Sequence, residues 1–114
     1  MSVSAAELTA QKCTACEGDT PAFTKKQIDD HMEALPLWGA HVDGKRIIRK
    51  LKFADFVSAM AFLQKVGELA EAEGHHPDLH LTGYRHVTVE LTTHAINGLS
   101  ANDFIVAAKI DALK

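Results

Sequence analysis

The chain has few cysteines, no long apolar run and no surplus of positive charge, and each scarcity removes a class of protein. Two cysteines in 114 residues, Cys13 and Cys16, are too few and too close for the disulfide framework of a small secreted domain. No stretch approaches the ~18 consecutive apolar residues that a membrane-spanning helix requires. The net charge of −3 gives no electrostatic reason to expect nucleic acid or an acidic membrane as partner. Residues 1–12 lack both the basic and the apolar stretch of a targeting segment, so cytoplasmic residence is the expectation. What remains is an ordinary globular composition, 46% hydrophobic and 24% charged, of single-domain size. A domain this small buries only about 60–70% of its unfolded surface, so a homodimer or homotetramer is expected to add stability.

Residues 1–23 are small and polar, broken by Gly18 and Pro21, and read as an N-terminal arm without regular structure. Residues 24–114 read as one domain. Thr24 and Gln27 have capping-box spacing, Ile28, Met32 and Leu35 follow at helical intervals, and Pro36 stops this first helix. Asp43-Gly44, between strands at Trp38–Val42 and Arg46–Lys52, is a hairpin signal. A second helix over Phe53–Glu73 lines up Phe53, Phe56, Val57, Met60, Leu63, Val66 and Ala70 as a stripe expected to be buried, and Gly74 ends it. A short strand at 79–81 then meets a two-residue turn, Thr82-Gly83. From Tyr84 to Thr92 the pattern alternates, with Val87, Val89 and Leu91 on one face and His86, Thr88, Glu90 and Thr92 on the other. Ser100 and Asp103 repeat the capping pattern before a last helix carrying Phe104, Ala107, Ala108 and Ile110. The order αββαββα predicts the α+β class, with a four-stranded antiparallel sheet and helices packed on one face.

Seven histidines are the unusual feature, and they concentrate between His75 and His94. His75 and His76 leave the second helix at Gly74. A two-residue turn sets His76 opposite Val89 and His75 opposite Glu90, and His94 lies just past the returning strand on the same side. Three imidazoles then share one sheet end. Imidazole both donates and accepts a proton near neutrality, which suits a reaction that delivers one proton and removes another. The residues alone leave a second reading level with this one: His75 and His76 as solvated turn residues and His94 as a polar residue flanking a helix.

The segment from Glu71 to Asp103 resembles the signature of the pterin-4a-carbinolamine dehydratases. That pattern has an acidic residue four positions before His-His-Pro, then an aromatic, a histidine ten residues after it and an aspartate beyond. Here those residues are Glu71, His75, His76, Pro77, Tyr84, His94 and Asp103. The element order from Thr24 onward also resembles that family's fold. The resemblance implies dehydration of a 4a-hydroxytetrahydropterin to quinonoid dihydropterin and water, a redox-neutral step of tetrahydropterin recycling that needs acid and base but no cofactor and no metal. It implies that His75, His76 and His94 are the catalytic histidines, with His75 on the hydroxyl side. It places Glu71, Pro77, Thr92 and Thr93 around the substrate. In that reading Glu71 orients a histidine or bonds the pterin, and Pro77 restricts the backbone of His76 and so aims it. Thr92 and Thr93 offer backbone groups to the pterin's amide edge. Asp103 and Ser100 read as structural, the two halves of a capping box, and Tyr84 as the packed first residue of a strand. The implied partner is a small pterin, with an aromatic amino acid hydroxylase as a second candidate. Some family members carry an aspartate just before the histidine pair and an aromatic two residues after the proline. This chain has Gly74 and Leu79 there, which bears on what tunes the histidines and covers the ring.

Other readings compete. His75, His76 and His94 with Glu71 have the number of ligands a catalytic zinc site needs, although neighbours on an extended chain point to opposite faces. Cys13 and Cys16 form one CxxC, able to chelate a metal or to cycle as a dithiol. Similar pairs occur near the start of some bacterial members, and without further ligands or a following βαβ pattern they read as free thiols. A reading from a different class is a protein-binding or assembly module. Animal members of the family act as dimerisation partners for a transcription factor, and relatives lacking the histidines serve as assembly factors; the basic strand Lys45–Lys52 offers a contact surface for such a role, although it reads more readily as a solvated sheet face.

Overall fold

A computed structural model describes residues 4–14 and 20–113 of the chain. The second cysteine, Cys16, lies outside the described residues, so the CxxC reading can be followed only at Cys13. The elements run α1 (Ala5–Thr9), α2 (Lys25–Met32), β1 (Gly39–Ala40), β2 (Ile47–Lys52), α3 (Phe56–Glu73), β3 (Asp78–Thr82), β4 (His86–Leu91), a 3-10 turn at His94–Ile96, and α4 (Ala101–Asp111). The four strands form one antiparallel sheet in the order β1-β2-β4-β3. Two hairpins are thus joined through their second strands. The α+β reading holds: Ile47, Val87, Val89 and Leu91 are buried on the face that meets the helices, while His86, Thr88 and Glu90 alternate onto the other. Among the described residues no helix is long and apolar enough to cross a membrane.

Both capping boxes form. Thr24 Oγ1 accepts from the backbone N–H of Gln27, whose side chain accepts from the Thr24 N–H, and Ser100 and Asp103 make the same reciprocal pair at the start of α4. The polar caps satisfy amides that a helix start leaves without partners. Helix α3 begins three residues later than its apolar pattern suggests, because Asp55 caps it by accepting from the Ser58 N–H. It ends as expected at Gly74, in the left-handed region at φ 67°.

Three expectations are corrected. The β3–β4 connection is a three-residue loop, Gly83-Tyr84-Arg85, since Thr82 pairs with His86. Gly83 and Tyr84 both adopt left-handed φ, 53° and 57°, and a tyrosine there carries no turn signal. Tyr84 is therefore neither in a strand nor packed; it sits exposed at the loop tip. The register shifts accordingly, with Asp78 opposite Glu90 and Leu79 opposite Val89. Continued past the end of β3, it brings His76 across from Thr92 and His75 across from Thr93, closer to His94 than the two-residue turn implied.

The second correction concerns the buried stripe of α3. Ala59, Val66 and Ala70 are buried and Phe53, Phe62, Leu63 and Leu69 pack against the core, but Phe56, Val57 and Met60 are exposed. At 100° per residue Val57 lies about 160° around the helix from Ala59, so one stripe cannot hold both. The third is at the N-terminus, where residues read as lacking regular structure include α1. Ser4 caps it by accepting from the Glu7 N–H, and Leu8 is buried to 1% exposure against α4. With the sheet on one side, α3 on another and α1 on a third, α4 is buried almost all round, from Asn102 to Ala108 and again at Ile110. Its C-terminal end is tied to β2, as Asp111 accepts from Arg49 at 2.6 Å and from the Trp38 indole at 2.9 Å.

Leu8→Ala removes a side chain the core closes over, and the expected cost is about 2–5 kcal/mol. Urea unfolding of the two proteins measures it; a loss below about 0.5 kcal/mol, as for an ordinary surface substitution, would show that α1 is not part of the folded unit.

Candidate active site

Gly74 decides where the histidine pair goes. Its left-handed backbone turns the chain out of α3, with the Gly74 N–H returning to Glu71 C=O and the His75 N–H to Ala70 C=O. This glycine-terminated ending satisfies the last carbonyls of the helix and delivers His75 and His76 beside the end of β4. On the other side Thr93 and Gly98 pair across a small loop, Thr93 N–H to Gly98 C=O at 2.9 Å. Within that loop the 3-10 turn carries His94, and Asn97 takes the left-handed conformation that closes it. Gly98 has no room for a side chain, because a Cβ there would meet the Ala22 Cβ at 2.8 Å.

These pieces enclose a cavity of about 250 Å³ lined by His75, His76 and His94, together with Thr92, Thr93 and Ala95. Thr14 and Asn102 complete one wall. The three sequence-predicted histidines therefore meet, with different surroundings. The His75 side chain is 11% exposed and its Nε2 lies 2.6 Å from Asp103 Oδ1, a carboxylate with no exposed surface. His76 stands in solvent, its Nε2 2.8 Å from Glu71 Oε1. His94 is exposed, and among the described residues its ring takes no hydrogen-bond partner.

Asp103 does more than the capping role read from sequence. Its Oδ2 accepts from the Ser100 N–H at 2.9 Å and from the Thr93 hydroxyl at 2.7 Å, which leaves Oδ1 for His75. The Thr93 and Ser100 hydroxyls lie 2.8 Å apart, and with Thr93 donating to Asp103 the Ser100 hydroxyl donates to Thr93. The Ser100 N–H and the Thr93 hydroxyl both donate to this carboxylate, and His75 likewise presents Nε2–H to it and keeps Nδ1 for other work. An imidazole fixed by a buried carboxylate is the arrangement that sets tautomer and orientation in acid–base sites. The pattern Ser-x-x-Asp signals the cap; nothing local in it signals the histidine 28 residues earlier.

Other expected residues fall less centrally. Glu71 pairs with His76 but does not line the cavity, nor does Pro77. The Thr93 backbone is not free to meet a ligand's amide edge: its N–H goes to Gly98 and its C=O accepts from Ile96 and Gly98. It contributes from beneath instead, through the hydroxyl on Asp103. Thr92 lines the cavity and donates its hydroxyl to Lys45 C=O. Among the described residues no three His, Cys, Asp or Glu side chains are grouped to hold a metal ion.

The sequence profile of the pterin 4 alpha carbinolamine dehydratases matches residues 21–113, a span that contains every one of these side chains except Thr14. The chain belongs to that family. A Methylococcus capsulatus protein that bears the name pterin-4-alpha-carbinolamine dehydratase provisionally is 44% identical over 109 residues, covering 96% of this chain and 95% of its own. The mitochondrial pterin-4-alpha-carbinolamine dehydratase 2 of Arabidopsis thaliana is 40% identical, covering 97% of this chain and 61% of its own. Among solved structures, the transcriptional coactivator/pterin dehydratase of Brucella melitensis superposes with a TM-score of 0.75 at 32% identity, over 81% of this chain and 97% of that one. A pterin dehydratase-like protein described as a RuBisCO assembly factor in the alpha-carboxysome shares the fold at a TM-score of 0.56 and 24% identity, over 66% of this chain and 86% of its own.

Cys13 sits near the same wall in a setting unlike that of a reactive thiol. Its Sγ–H points at Asn102 C=O, 3.7 Å away, and burial followed by the nearby Glu73 carboxylate pushes its pKa from 9.0 up to about 12. A thiol whose pKa is raised by folding stays protonated, so its contribution to stability is intact below pH 9.0 and is lost as the pH rises toward about 12. The thiolate is the nucleophile, so alkylation of Cys13 at pH 8, followed by peptide mapping, should run far slower in the native protein than in urea. Equal rates would show that the thiol is not held in this environment.

Proposed function

We propose that the cavity dehydrates a 4a-hydroxytetrahydropterin to the quinonoid dihydropterin by histidine acid–base catalysis. The observation that carries the reading is the meeting of three imidazoles at one cavity, two of them exposed and the third, His75, fixed by the buried Asp103 carboxylate. Membership of the family supports the substrate class. The reaction breaks the C4a–O bond and the N5–H bond and forms the C4a=N5 double bond, releasing water. It needs one proton delivered to the leaving hydroxyl and one taken from N5, and no electrons change hands.

His75 suits the delivery. As an imidazolium it gives Nε2–H to Asp103 and holds the Nδ1 proton for the departing hydroxyl, while the buried carboxylate balances the charge. His76 and His94, which line the same cavity, serve the N5 side. Glu71 steadies His76, whereas His94 is held through the backbone of its closed loop. After turnover His75 lacks one proton and the base carries one extra, and exchange with solvent restores both.

Stopped-flow absorbance of freshly generated carbinolamine provides the test. Wild type should accelerate water loss, and His75→Ala should cut kcat by about a hundredfold or more, as for loss of a general acid. His76→Ala and His94→Ala divide the base role between them. Asp103→Asn keeps the side chain's size but lacks the charge that holds His75, so it should lower kcat as well. A well-folded wild type with no acceleration would overturn the dehydratase reading in favour of the protein-binding or assembly module.

A further inference from the structure

One wall of the cavity is completed by Thr14, which precedes the family-matched region, and the segment that carries it is fastened at several points. The Asn102 side chain, on a residue 95% buried in the first turn of α4, grips both backbone groups of Thr14: Oδ1 accepts the Thr14 N–H at 3.1 Å and Nδ2 donates to Thr14 C=O at 2.6 Å. One residue earlier, the Cys13 N–H donates to Glu73 Oε1 at 3.0 Å, while Glu73 Oε2 takes the Lys109 ammonium at 2.8 Å. The Glu73 and Lys109 side chains are 12% and 16% exposed. The Lys109 bond, then the Cys13 N–H, hold the Glu73 carboxyl below the usual carboxylate range. Upstream, Leu8 of α1 anchors the segment in the core.

The anchors fall at telling places. Glu73 is the last residue of α3, two before His75, and Asn102 precedes Asp103. Cys13 and Thr14 thus bridge the two helix ends beside the His75–Asp103 pair, and Thr14 lines the cavity. A strap needed only for folding would be served by Leu8 and α1; two directed amide bonds at the cavity edge fix the position of a wall.

We infer that residues Ala10–Thr14 form a substrate-binding strap, with Thr14 against the bound pterin and Asn102 as the positioning residue that holds it there. This rests on the pterin reading of the cavity. The strap acts on binding: it covers one side of a flat heterocycle and touches neither the leaving hydroxyl nor the N5 proton.

The test uses the full chain in two variants that reach the same contact from opposite sides. Asn102→Ala removes both side-chain bonds; Thr14→Pro removes the N–H donor and leaves α4 untouched. Each should raise KM for the carbinolamine by about five- to tenfold, as loss of one or two net hydrogen bonds predicts, with a much smaller change in kcat and the same kcat–pH profile. The double variant should be no worse than the weaker single, since both break one contact. A stable dihydropterin, titrated by protein fluorescence, should lose affinity by the same factor without turnover. A fall in kcat at constant KM would overturn the strap and place Asn102 behind Asp103. Unchanged KM and pterin affinity in both variants, with an active wild type, would also overturn it. An inactive wild type that still binds the dihydropterin would sink the dehydratase reading and leave the strap standing on the titration alone. A wild type that neither turns over nor binds pterin would sink both.

Discussion

A carboxylate removed from water must be met by donors on every side, because an ionised group without partners in the interior costs several kcal/mol. Asp103 is met by three, and they come from different parts of the chain: the Ser100 amide at the start of α4, the Thr93 hydroxyl at the end of β4, and His75 just past α3. Satisfying one side chain therefore pins together the sheet end, the long helix and the central helix. The two oxygens divide the work, with Oδ2 closing the helix cap and Oδ1 fixing the imidazole. The site is rigid because the fold needs this junction.

The same logic explains why α4 tolerates burial on nearly every side. Apolar residues fill its middle, its first turn is consumed by Ser100, Asn102 and Asp103, and Asp111 near its far end is answered by Trp38 and Arg49. A helix enclosed this way has no surface to spare for a ligand except at its N-terminal end. There Asn102 and Asp103 point their side chains to two partners, the strap and the histidine. Cavity and core are built from one another.

What was legible in the sequence was local. Capping boxes, the alternation of β4 and the glycine ending of α3 are each decided within a few residues, and each formed where the pattern placed it. The family signature located the histidines, and their meeting at one cavity follows from the hairpin topology. The misread features turn on partners far away or on conformations without a residue signature. A tyrosine in left-handed backbone gives no warning, so the sequence pattern places the turn one residue short and the register three residues off. A five-residue helix is too short to persist alone; α1 exists because α4 offers Leu8 a place, which no local pattern reveals. The second role of Asp103 was hidden for the opposite reason, since a complete local explanation was already available in its cap.

The enzyme and scaffold readings of this fold make different demands on the three histidines. His75 donates to a buried carboxylate, so its removal leaves Oδ1 without that donor and costs stability whatever the protein does. Its presence is thus explained by structure alone and weighs little between the readings. His76 and His94 are exposed and neither satisfies a buried group. Surface positions of that kind are indifferent to stability within about 0.5 kcal/mol. Two such imidazoles facing the cavity from different loops answer no requirement of folding. The chemical case therefore rests on the pair that the core does not need, and His75 gains its meaning from lining one cavity with them.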